Sequence, residues 1–153
     1  MPGSWSPNHF PFLTSDNHSI TSSATKRYNC IAWAAGETSR RWDPDPQGVY
    51  YWPPGITRST RIEAVAQVYE TLGFRLCFST ALEDGIEKVA IYGTVQNGIT
   101  FATHAARQLL SGEWTSKLGD AEDITHHDLG DLNGLYGEPM VYMERRRAAS
   151  TNI

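Results

Sequence analysis

Cysteine is scarce in this chain: Cys30 and Cys77 are the only two, and no C-x-x-C pair exists. That excludes a disulfide-dense scaffold and argues against a thiolate zinc site. The two thiols fall in a helix start and a separate strand, so no disulfide is expected between them. No apolar run approaches the ~20 residues of a membrane span. Residues 1–17 mix Trp, Phe and Pro with polar residues and lack the basic start and continuous apolar core of a signal peptide. The expected location is cytoplasmic, or exported without a classical signal. Excess charge of one sign is also lacking. Lys and Arg total 13 against 17 Asp and Glu, a net charge of −4, which gives no electrostatic reason to expect nucleic acid or an anionic membrane as partner. Internal repeats and linkers are absent, and 153 residues suit one domain.

Three segments are expected: an irregular stretch at 1–26, a single domain at 27–145, and a basic, polar tail at 146–153. Ser, Thr, Asn and Pro dominate the first, with Phe10, Phe12 and Leu13 available to pin it to a core. A short helix is expected from Asn29 to Glu37, ended near Gly36. Prolines and rings at 42–55 predict an ordered loop. Thr60 and Glu63 form a T-x-x-E capping box, and Ile62, Val65, Ala66, Tyr69 and Leu72 recur at helical spacing up to Gly73. Strands are then expected. Phe74, Leu76 and Phe78 alternate with polar neighbours and Cys77. Residues 88–94 read as a strand buried on both faces. Residues 100–110 and 113–117 flank a Ser111-Gly112 turn, and 140–143 close the sheet. Helix, helix, then antiparallel strands predicts an α+β fold.

Cys30 and His104 carry the chemistry. A thiol at a helix N-terminus is stabilised as thiolate by the unpaired N–H groups there, and a strand histidine can take its proton. The opposing readings are an inert core cysteine and a structural histidine. A third group is needed to orient the imidazole. A two-residue Ser111-Gly112 turn sets His104 opposite Gly119, with Thr115 and Lys117 on its face. If Glu113 joins the turn, Asp120 lies opposite and Ser116 shares the face. Asp123 is taken as the third member, with Ser116, Asp120 and His126 left open as alternatives. Asn29, Trp52 and Trp114 are the substrate-contact candidates. The rings Trp33, Trp42, Tyr50, Tyr51, Trp52 and Trp114 could line a groove, but packing of a loop-rich domain is the favoured reading. Arg145, Arg146 and Arg147 are read as a solvated tail. His126-His127 lacks a nearby third ligand, so no metal is expected.

The words YNCIAWA (28–34), THAARQ (103–108), WTSKLG (114–119), DIxH (123–126) and YG (136–137), in that order, resemble an uncharacterised, mostly bacterial domain family spanning about 26–145. The layout, a helix-borne Cys followed by a strand His, is similar to papain-like hydrolases of the NlpC and CHAP type. The nucleophile lacks the Asp-Cys-Ser pattern of the NlpC type, and the apolar strand Val89-Ala90-Ile91-Tyr92 lacks histidine. The resemblance implies a papain-like core with a Cys-bearing helix on an antiparallel sheet of four to six strands. It also implies Cys30 as nucleophile and His104 as base in cleavage or transfer at a peptide or other amide, without a cofactor. The alternative is an inactive relative that binds a partner through the aromatic loop 42–55.

Overall fold

A computed structural model describes residues 8–148. One antiparallel sheet of seven strands dominates it: β1 (His18–Ile20), β2 (Arg75–Cys77), β3 (Ile86–Gln96), β4 (Ile99–Gln108), β5 (Trp114–Lys117), β6 (Asp123–His126) and β7 (Glu138–Arg146). Their spatial order is β1-β6-β5-β4-β3-β7-β2. The helices are small: α1 (Cys30–Ala34) and α2 (Ile62–Glu70). The fold is therefore β-rich, which corrects the expected α+β, papain-like core. The correction has a physical cause. Gly36, at φ +87, ends α1 after five residues. Strands also formed where polar sequence suggested none, at β1 and β6.

β3 is the central strand, as its continuous apolar run predicts. Val89, Ala90, Ile91 and Tyr92 are all fully buried, because the sheet is covered on both faces. Val89, Ile91, Ala105 and Met143 face one core with Ala32, Val65, Val68 and Tyr69 of the helices. Ala90, Tyr92 and Ala106 face a second core with Phe10, Trp114, Ile124 and Leu132. α2 buries the i, i+3, i+7 stripe read from its sequence, and Val65 and Val68 each contribute about 1.5–3 kcal/mol by leaving water. The capping box does not form: Arg61 is the N-cap and makes no side-chain cap bond, while the Thr60 carbonyl accepts the Ala102 N–H instead.

Two turns set the registers. Asn97 and Gly98, both at positive φ, join β3 to β4, an Asn-Gly hairpin signal the sequence reading did not single out. The β4–β5 connection runs through residues 109–113, closed by Leu109 N–H to Glu113 O. Gln108 then pairs with Trp114 and Arg107 with Thr115, where pairing stops. Neither expected register holds, and His104 has no β5 partner. β2 is a short edge strand; Phe74 before it is buried, whereas Leu76 within it and Phe78 just after it are 59% and 96% exposed. In the segment expected to be irregular, Phe10 is buried and β1 pairs with β6.

Candidate functional site

α1 begins at Cys30 because Asn29 caps it. The Asn29 side chain accepts the Ala32 N–H at 3.3 Å and the Trp42 N–H at 3.1 Å, and donates to Trp42 O at 2.8 Å. Those bonds tie the 42–55 loop to the helix start, so Asn29 is committed to the fold and not to a substrate. Trp52 is likewise spent: it is buried in the first core and its Nε1 donates to Thr57 O at 2.9 Å. Trp114 is buried as a core ring of the second face, but it also lines a groove of about 690 Å³ with Gln108 and Asn133.

The Cys30 thiol lies near the backbone N–H of Ala105 in β4, at a point where the β4–β5 ladder has ended. Protein packed around the thiol raises its pKa; the N–H groups of Ala105, Ile31 and Cys30 itself, and the charge of Arg41, oppose this without reversing it. Part of the residue still meets solvent. The thiol therefore rests protonated at neutral pH, contrary to the thiolate expected from its helix position.

His104 is reached through a bulge. Tyr92 pairs with His104 and Gly93 with Ala102, so Thr103 is the extra residue. The Thr103 hydroxyl donates to Tyr136 O. The His104 ring stacks on Tyr136, with centroids 4.2 Å apart and planes 3° from parallel, and meets Tyr92 edge-on. Its environment is thus the second core, whereas α1 lies on the first. Neither ring nitrogen has a hydrogen-bond partner among the described residues, Cys30 Sγ included. The expected Cys-His hydrogen bond is not formed. Burial holds the imidazole well below its ordinary pKa, with His126 adding to the effect, so it is neutral.

The third-group candidates disperse. Asp123 accepts the Tyr28 hydroxyl at 2.8 Å and does not orient His104. Asp120 pairs with Arg41 at 2.7 Å on the surface. Ser116 and His126 bond each other at 2.8 Å, fully buried, and His126 Nδ1 lies 3.0 Å from Asp128 O. Nδ1 must donate to that carbonyl, which leaves Nε2 to accept from the Ser116 hydroxyl.

Three further groups have shifted pKa values; sequence reasoning gave no role to Tyr28 or Tyr136 and named Lys117 only as a neighbour of His104 in one register. Tyr28 anchors Asp123. Lys117 is buried over the Tyr28 ring, its Nζ held by Gly119 O and Ala121 O; desolvation lowers its pKa against the pull of Asp120, Asp123 and Cys30. Tyr136 stacks on His104, and its hydroxyl pKa is raised by burial first and by Cys30 second. Groups with pKa values shifted chiefly by burial thus occur on α1, β4, β5 and the 136 loop, a feature shared by functional sites and structural networks. Among the described residues no group of three or more His, Cys, Asp or Glu is placed to hold a metal, and no helix is long and apolar enough to cross a membrane. Both cysteines are free thiols.

A family model described as Domain of unknown function (DUF7689) matches residues 19–144, from β1 into β7. The chain belongs to that family. No curated protein and no solved structure matches it. Membership agrees with the expected uncharacterised domain family, whereas the likeness to NlpC-type hydrolases has no counterpart in these comparisons or in the sheet.

Proposed function

We propose that this DUF7689 domain performs thiol-dependent acyl transfer at an amide, with Cys30 as nucleophile and His104 as base. The reading rests on one observation: the residue just before Ala105, whose N–H lies near the Cys30 thiol, is a buried histidine with both nitrogens unsatisfied among the described residues. Leaving such a group unpaired costs about 1–3 kcal/mol, a cost for which a chemical role is one explanation. The pair is neutral at rest. Cys30 Sγ attacks the carbonyl carbon as its proton passes to the imidazole; the imidazolium then protonates the leaving amine, and water or another acceptor cleaves the thioester. The Cys30 backbone N–H stabilises the oxyanion. His104 must leave its stack on Tyr136 to reach the thiol, and hydrogen bonds of this kind are often formed only with substrate bound.

The missing Cys-His bond and the raised thiol pKa favour a second reading, a binding module without catalysis. Its surface would not be the whole aromatic loop, because Trp42 and Trp52 are buried; Val49 and Tyr50 are its exposed large apolar side chains. Alkylation separates the two. With iodoacetamide near pH 7, followed by mass spectrometry, Cys30 should react at least about tenfold faster in the native protein than in His104→Leu if the imidazole assists. Cys77, also raised by burial, serves as the internal reference. Equal Cys30 rates in the two proteins would assign the chain to the binding reading.

A further inference from the structure

In the basic triplet at the end of β7 only Arg146 is exposed as a solvated residue would be. Arg145 and Arg147 turn back against Glu87 of β3: Arg145 Nε bonds Glu87 Oε1, and Arg147 Nη1 lies 3.5 Å from Glu87 Oε2. Arg145 Nη1 also donates to Leu72 O at 2.6 Å, which fixes the guanidinium beside the α2–β2 turn. Arg107 of β4 enters the same space, its guanidinium 5.6 Å from the Trp33 ring. Together with Arg146 these side chains line a cavity of about 710 Å³, a size suited to a small-molecule ligand.

The cavity is electrostatically incomplete. Four guanidinium groups share one carboxylate, in a protein whose net charge is −4. Arg107 Nε is buried and has no hydrogen-bond partner among the described residues. A buried, unsatisfied donor on a cation is costly, and a guanidinium cannot escape by losing its proton. Burial and the charges of Arg147 and Arg145 all press against the charged form of Arg107, with Glu87 the opposing influence. An anion would remove both penalties at once. A singly charged carboxylate would leave part of the excess unmatched. A phosphoryl group brings a charge near −2 and oxygens that match the planar guanidinium fork.

We propose that this cavity binds a small ligand through a phosphoryl group, with Arg107, Arg145 and Arg147 as its donors. None of these residues belongs to the proposed thiol site, so either proposal can fail alone.

Inorganic pyrophosphate is the probe, titrated calorimetrically into the full chain at constant ionic strength in chloride. Saturable one-site binding is expected. Arg107→Gln and Arg147→Gln should each weaken it by about tenfold or more, whereas Arg61→Gln, outside the cavity, should not. Arg146→Gln removes an exposed lining charge and gives a weakening readable even if Arg107→Gln fails to fold. Citrate should bind less tightly than pyrophosphate. The proposal is overturned by absence of saturable binding, by unchanged affinity in both Arg147→Gln and Arg146→Gln, or by citrate binding more tightly.

Discussion

Gly137→Ala is expected to cost about 4 kcal/mol or more and to lower the melting temperature by roughly 10 °C. Gly137 sits at φ +74, where an L side chain is strained by about 1–2 kcal/mol on its own. The larger cost is steric. A β-carbon there would lie 2.7 Å from Thr94 Cγ2 and closer still to the backbone oxygen of Gly93, which cannot swing away because it is part of β3. Gly48→Ala isolates the two causes. It shares the conformation, at φ +72, but a β-carbon would meet nothing within 4 Å, so about 1–2 kcal/mol is expected. Thermal unfolding of the pair decides the matter, and similar losses in both would refute the packing argument. The substitution also has a local consequence. Gly137 follows Tyr136, whose carbonyl is held by Thr103 and whose ring carries His104. Displacing that turn should unseat the stack.

What the sequence disclosed depended on how local the cause was. α2 was legible because its stripe is an intrinsic 3.6-residue pattern and Gly73, at φ +94, stops it. β3 was legible because only a doubly covered strand tolerates so continuous an apolar run. β6 was not, since Asp123 and His126 look like loop residues until Tyr28 and Ser116 arrive to satisfy them from distant positions. β2 was legible as a strand from its alternation, but its place at the sheet edge, where Leu76 and Phe78 find no partner layer, was not. The candidate site shows the same limit. Cys30 at a helix start could be read from Asn29 and the Ala-rich run. The direction of His104 could not, because the bulge at Thr103 decides it and alternation alone does not mark a bulge. The third group turned on the β4–β5 connection, and its five-residue course satisfied neither register considered.

Stability should fall steeply below pH 6.5, and two histidines should account for most of the fall. His104 and His126 are buried, and in both desolvation holds the folded-state pKa below the ordinary 6.5. Between those folded values and 6.5 the unfolded chain binds protons that the folded chain refuses. Stability is therefore full above pH 6.5 and is lost as the pH drops, at about 1.4 kcal/mol per pH unit for each histidine. From pH 7.5 to 5.0 the two together should cost up to about 4 kcal/mol, read as a shift in the urea midpoint. Their replacements should part company at pH 7.5. His126→Leu strands the Ser116 hydroxyl and the Asp128 carbonyl, at about 1–3 kcal/mol. His104→Leu breaks no hydrogen bond, because neither ring nitrogen has a partner among the described residues. It loses only the ring contacts with Tyr136 and Tyr92, worth about 1 kcal/mol, and recovers part of that by removing an unsatisfied polar group. His104→Leu should thus stay within about 1 kcal/mol of the native protein at pH 7.5 and roughly halve the acid-induced loss. If it proves as damaging as His126→Leu, or leaves the pH dependence unchanged, His104 is a structural residue and the proposed base is lost. If His104→Leu behaves as expected, the ring adds little to stability at pH 7.5 and costs stability in acid, so its two unsatisfied nitrogens are left for reaction to explain.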